Sequence, residues 1–260
     1  MEKSGWLDVE TARRYQQFTE KTTMYQDLSR AMISLAEIDP GMRLLDLGCG
    51  TGITSQIALE ALGENGHIYA LDLSAAMLDY ARQRLPVDRV TLIQADAADL
   101  EREVNEPVDR VLCNSVFWQL RHKPPVMAAL HNVLKSDGLF IFNAPETYFI
   151  MDRIPYSSKV SVLFKQLAAE RHGVGTQDLR TIEVFLKNHG FDLVTTKIVE
   201  QHHPAEESYL FSQIPVTTAW MEPPLDYETR MALLDEAWRR SNRETAAKRR
   251  WIYLVARPRK

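Results

Sequence analysis

A doubly wound α/β sheet, mostly parallel and covered by helices on both faces, is the fold the sequence predicts. Two observations carry it. Short apolar runs alternate with helical patterns from Met42 to Pro145, the rhythm of strands joined through crossover helices. The first apolar run, Met42 to Leu47, then breaks into glycine at every second position, Gly48, Gly50 and Gly52, and a helical pattern with Ile53, Ile57, Ala58, Ala61 and Leu62 begins at once. A strand that delivers a glycine turn to a helix start is a small-molecule clamp, because glycine tolerates φ > 0 and leaves the main chain bare.

The 260 residues are enough for one large domain, or one domain plus a cap. A hydrophobic content of 45%, a charged content of 25% and a net charge of −4 are ordinary for a globular protein and give no broad electrostatic reason to bind nucleic acid. Cys49 and Cys113 both fall in or beside strand patterns, so a disulfide scaffold is not expected and a reducing cytoplasm is the default location. No apolar run approaches the ~20 residues of a membrane span, and the start MEKSGWLDVE has no signal-peptide core.

Taken in order, residues 1–40 read as an N-terminal helical cap. A segment from Glu10 to Thr22 carries Tyr15 and Phe18, and Leu28, Met32, Leu35 and Ala36 share one face of a second, which stops before Asp39-Pro40-Gly41. Tyr15 and Tyr25 either line a pocket over the glycine turn or pack this cap onto the body.

The second strand, His67 to Leu71, ends at Asp72, which lies twenty residues after Gly52. That is near the spacing at which a βαβ unit offers a carboxylate to a ribose. Ser74 is the better cap for the helix Ala75 to Leu85, which leaves Asp72 free for that role. The third strand, Val90 to Ala95, ends at Asp96-Ala97, which reads as an adenine-edge contact or as a helix cap. Val108 to Cys113 is the fourth strand, and Asn114-Ser115-Val116-Phe117-Trp118 follows it. A helix from Pro124 or Pro125 to Lys135 leads through Asp137-Gly138 into a fifth strand, Leu139 to Ala144. Ligands of such sheets bind beyond the strand C-terminal ends, where Gly48, Asp72, Asp96 and Asn114 all fall.

Beyond Tyr148 the rhythm loosens. Val160, Leu163, Phe164 and Leu167 suggest one helix and Thr176 to Asn188 another, stopped by Gly190. Phe191 to Glu200 reads as the sixth strand, Gln201 to Asp226 as irregular, Tyr227 to Arg240 as a helix and Trp251 to Ala256 as the last strand. The expected organisation is a cap over 1–40, a βα core over 41–147, lid insertions at 148–175 and 201–245, and the rest of the core sheet at 176–200 and 246–260. The basic groups Lys248-Arg249-Arg250 and Arg257 to Lys260 read as solvated flanks of the last strand.

The third glycine of the turn is Gly52, one place earlier than the dinucleotide fingerprint requires, and position 53 is Ile53. With Asp46 before it, the turn reads Asp-x-Gly-x-Gly-x-Gly and resembles that of the class I S-adenosylmethionine (SAM)-dependent methyltransferases, in particular the small-molecule branch related to ubiquinone and menaquinone methyltransferases. The order of elements extends this resemblance over Pro40 to Arg257. It implies a seven-stranded sheet whose last strand lies antiparallel beside the fifth. It also implies that Gly48 and Gly50 wrap the methionine moiety of SAM, with Asp46 near the ligand amino group. Asp72, with Leu73, is implied at the ribose, Asp96 with Ala97 at the adenine, and Asn114 near the sulfonium and the acceptor.

Departures narrow the chemistry. No Pro-Pro follows Asn114, as exocyclic-amine DNA enzymes usually show, and no Pro-Cys nucleophile is present at Cys113. Asn114 stands where metal-dependent catechol enzymes carry Asp, so no metal is expected. The expected activity is methyl transfer from SAM to an O, N or C atom of a small, hydrophobic or aromatic metabolite, with no nucleic-acid partner and an open oligomeric state. The alternatives are an NAD(P)-dependent oxidoreductase, which would want glycine at Ile53, and a non-catalytic SAM-binding partner protein. No catalytic residue is assigned. His122, Tyr148, His172, His202 and His203, in loops or the expected lid, are the candidate bases, each with a plain surface role as its alternative. His202-His203 makes a poor metal pair, because adjacent residues point apart. Tyr15, Tyr25, Phe117 and Trp118 are the aromatic faces available to a sulfonium, Phe117 and Trp118 equally readable as core.

Overall fold

A computed structural model describes residues 5–120, 122–146, 179–219, 225–240 and 247–259. Tyr148, His172, the helix expected around Val160 to Leu167 and the lid at 148–175 lie outside them.

Seven strands form one sheet: β1 (Arg43–Leu47), β2 (His67–Asp72), β3 (Val90–Gln94), β4 (Val108–Cys113), β5 (Leu134–Pro145), β6 (Phe191–His203) and β7 (Ala247–Pro258). Their order is β3-β2-β1-β4-β5-β7-β6. The first five pair in parallel, and β7 runs antiparallel to both β5 and β6, which bears out the expected placement of the last strand. Leu44 and Leu45 of β1, Val111, Leu112 and Cys113 of β4, and Leu139 to Phe142 of β5 are consecutive buried apolar residues, because both faces of the sheet are covered. Leu44, Leu112, Ile141 and Tyr253 point to one core with α2 (Met24–Ile33) and α3 (Ile53–Leu62). Their neighbours Leu45, Val111, Phe140 and Phe142 point to the other, with α6 (Lys123–Val133) and α7 (Leu179–Asn188). The other helices are α1 (Val9–Lys21), α4 (Ala75–Arg84), α5 (Leu100–Glu103), α8 (Ala205–Ser212) and α9 (Tyr227–Arg240).

Local chemistry explains the boundaries. Asp8 caps α1 by accepting from the Glu10 and Thr11 amides, and Ser74 caps α4 by accepting from Met77. The Asp137-Gly138 turn lies inside β5, not before it. Val108 pairs with Leu134 and Arg110 with Leu139, so the intervening β5 residues bulge.

The sixth strand is longer than its pattern indicated. Gln201, His202 and His203 belong to β6, opposite Arg249, Lys248 and Ala247, and not to a lid. Polar residues on both sides hid this pairing, and ion pairs sustain it, with Lys248 bound to Glu200 at 2.7 Å. The basic segment is likewise not all solvated flank. Arg249 lies 5.1 Å from the centre of the Phe211 ring, and burial pulls its guanidinium pKa down.

Candidate active site

The glycine turn joins β1 to α3 through three left-handed residues, Gly48 (φ 74), Gly50 (φ 54) and Gly52 (φ 85), which only glycine adopts without strain. Their surroundings differ. A Cβ on Gly48 would lie 2.5 Å from Val116 Cγ2, so that bare position is filled by the protein itself. A Cβ on Gly52 would meet Leu85 at 2.8 Å. At Gly50 the nearest side-chain atom is Tyr15 Cε1 at 3.8 Å, so Gly50 alone presents open main chain, with the tyrosine ring above it.

A cavity of about 900 Å³ opens there, at the C-terminal ends of β1 to β4. Gly48, Gly50, Tyr15 and Tyr25 are among its lining residues. Asp72, Leu73, Asp96 and Ala97 line the side toward β2 and β3, while Asn114, Trp118 and His122 line the side toward β4. The structure thus brings nine of the ten expected cofactor residues to one cleft. Both readings of the tyrosines hold, since Tyr15 and Tyr25 line the cavity and also pack on each other with ring centres 5.0 Å apart.

Asp72 is held rigidly. Its Oδ2 accepts from the Gly50 amide at 2.8 Å and its Oδ1 from the Ser74 amide at 2.9 Å. Burial raises its pKa, opposed by those amides. Asp96 caps the turn that follows it, its Oδ1 accepting from the Ala98 amide at 2.9 Å, and it also lines the cleft. Asp46 is the exception. It is 1% exposed, lies outside the cavity lining and accepts from Ser55 Oγ at 2.6 Å. Burial pushes its carboxyl up to about 7.

Of the candidate bases, His122 lines the cavity. His202 is exposed beside Glu200 on β6. His203 is not a surface or loop residue: it is 4% exposed at the end of β6, with Nδ1 against Glu207 Oε1 at the start of α8. Neither lines the cleft. Phe117 is a core residue, 1% exposed, with its ring centre 4.4 Å from Phe142. Sequence reasoning missed Trp6, Leu7, Leu120 and Val216, apolar residues of the cavity wall. The aromatic Trp6 within the cap segment was the only signal, and nothing local marks Val216. Among the described residues there is no group of three or more His, Cys, Asp or Glu side chains placed to hold a metal, and no helix is long and apolar enough to cross a membrane.

Comparison with known proteins adds the family. Residues 38–185 match the family profile described as "Methyltransferase domain". Trans-aconitate 2-methyltransferase of Rhizobium rhizogenes is 34% identical over 137 residues, covering 52% of this chain and 50% of that protein. Malonyl-[acyl-carrier protein] O-methyltransferase of Acetivibrio thermocellus is 27% identical over 139 residues, covering 53% and 48%. The chain spans about half the length of the curated relatives it matches. The solved SAM-dependent methyltransferase of Geobacter sulfurreducens, in complex with S-adenosyl-L-homocysteine, has a TM-score of 0.60 at 16% identity and covers 95% of this chain and 98% of that one, a likeness of fold. With more than half its length inside the family profile, the chain belongs to the methyltransferase-domain family, the class I SAM-dependent methyltransferases that its glycine turn resembles.

Proposed function

We propose that this protein transfers a methyl group from SAM to an O, N or C atom of a small apolar or aromatic acceptor. The observation that carries the reading is the open main chain of Gly50 beneath Tyr15, in the wall of a cavity of about 900 Å³ that Asp72 and Asp96 also line. A pocket of that size accommodates a nucleoside and a second small molecule.

The residues fit the cofactor. When bound, SAM supplies an electrophilic methyl on a positively charged sulfonium. Asp72, already fixed by two main-chain amides, accepts hydrogen bonds from ribose hydroxyls. Asp96 and the Ala97 main chain meet the adenine edge, and Asn114 stands at the β4 end of the cleft. Tyr15, Tyr25 and Trp118 offer ring faces to the positive charge, worth ~0.5–2 kcal/mol each. Trp6, Leu7, Leu120 and Val216 exclude water and favour an apolar acceptor. Holding acceptor and methyl in line can supply on the order of 7–11 kcal/mol of the barrier reduction. His122 is the one histidine among the described lining residues, and it takes the proton where the acceptor atom is an O–H or N–H.

Thermal denaturation tests the reading. SAM or S-adenosylhomocysteine at about 100 times its Kd is expected to raise the melting temperature by ~5 °C or more, with no rise from NADH. A rise with NADH alone would return the oxidoreductase alternative. A rise with SAM but no methyl transfer from labelled SAM to any of a broad set of phenols, amines and carbon acids would favour a non-catalytic binding protein.

A further inference from the structure

Asn143 sits near the C-terminal end of β5, is fully buried and is not part of the cavity wall. Burying an amide in a strand core is costly unless each of its atoms is used. Here both ends are used, and both point to the same turn. Oδ1 accepts from the Ser115 amide at 2.6 Å, and Nδ2 donates to Asn114 Oδ1 at 2.9 Å.

Those partners are the two residues that leave β4 at the cleft. Ser115 has φ 62, a left-handed conformation that favours glycine. Its carbonyl accepts from Gln119 Nε2 at 2.6 Å, so the strained residue is tied at both its amide and its carbonyl. Asn114 is held from its other side, where its Nδ2 donates to Ser29 Oγ at 3.1 Å and Thr54 Oγ1 at 3.2 Å. The bend has one visible product: it carries Val116 onto Gly48, so closely that a Cβ there would overlap it. Asn143 is therefore linked through one strained residue to the packing of the glycine turn.

We propose that Asn143 is a positioning residue, whose side-chain amide holds the Asn114-Ser115 bend so that Val116 braces the glycine turn in its cofactor-binding shape. This rests on the cofactor reading above, since it assigns the brace to the same cleft. Asn143 lies outside the cavity lining and meets no ligand there. It acts through Ser115 and Val116.

The test is S-adenosylhomocysteine binding by calorimetry on the full chain, at a temperature well below the melting point of each variant. Asn143→Leu keeps the branched shape and the number of heavy atoms, removes both hydrogen bonds, and is expected to weaken binding about tenfold or more. Ser115→Gly removes the backbone strain that Asn143 offsets. Added to Asn143→Leu, it is expected to recover about threefold or more of the lost affinity, because glycine adopts the left-handed bend unaided. A purely structural asparagine would lower the melting temperature without moving the dissociation constant below it, and Ser115→Gly would rescue nothing. Should Asn143→Leu fail to fold, Asn143→Ser, whose hydroxyl cannot span both partners, takes its place under the same criteria. Wild-type protein that binds no S-adenosylhomocysteine overturns the cofactor reading and this proposal together. Wild-type binding with an unimpaired Asn143 variant, or loss without rescue, overturns this proposal alone.

Discussion

Asp46 and Asp72 show how differently two acids at strand ends can be used. Asp72 ends its strand at the cleft, with both oxygens engaged by amides. Asp72→Ala is expected to weaken S-adenosylhomocysteine binding by about tenfold or more, and unchanged affinity in calorimetry would refute the ribose assignment. Asp46 lies beneath the turn, where burial moves its carboxyl from an ordinary 3.8 to about 7. The folded state therefore holds that proton more tightly than the unfolded chain. Its contribution to stability is full below the unfolded value and is lost as the pH rises through about 7. Asp46→Asn keeps an acceptor for Ser55 and removes the titration. Relative to the variant, the wild type is expected to lose ~1 kcal/mol or more between pH 5 and pH 8 in urea unfolding. Parallel profiles would show that Asp46 carries no such cost. Both acids were visible as motif positions, but which one meets the cleft was not. Strand alternation and the Ser55 hydroxyl decide that, and Ser55 is set by how α3 packs.

At the scale of the element, the glycine turn is the part of the site most nearly written in the chain. The alternate spacing of Gly48, Gly50 and Gly52 indicated left-handed backbone, and all three have it. What the spacing did not reveal is that two of the three make room for neighbours, Val116 and Leu85, both distant in sequence. The difference is measurable. Gly48→Ala adds overlap with Val116 to the conformational strain and is expected to cost on the order of 2–4 kcal/mol of stability. Gly50→Ala meets open space and is expected to cost only ~1–2 kcal/mol of stability, while its methyl intrudes on the cleft and weakens SAM binding. Equal stability losses in denaturant titrations would remove the distinction. β6 is the opposite case. Its end, Gln201 to His203, has no alternating apolar pattern, and its strand form depends on β7 lying alongside. His203 and Glu207 are buried because β6 turns straight into α8 there.

For the whole molecule, β7 completes the sheet between β5 and β6 and ties it to the N-terminal cap. Tyr253 on β7 is buried and its hydroxyl donates to the Leu28 carbonyl of α2 at 2.9 Å. Tyr253→Phe removes that hydrogen bond while the carbonyl keeps its place in the α2 ladder, and is expected to cost about 0.5–1.5 kcal/mol by denaturant titration; a change within error would show that the cap is held by apolar packing alone. The cap in turn supplies Tyr15 and Tyr25 to the cleft. By itself the sequence determined the alternating strands and helices, the glycine turn and the acids at the ends of β2 and β3, because apolar period, glycine conformation and short-range spacing are properties of neighbours along the chain. Only the tertiary structure decided that Gly48 is filled by Val116, that Asp46 is sealed away, that His122 and not His203 stands at the cavity, and that Asn143 holds the β4 bend. Each of these depends on side chains brought together from separate strands, and packing across a sheet leaves no periodic trace in any one of them.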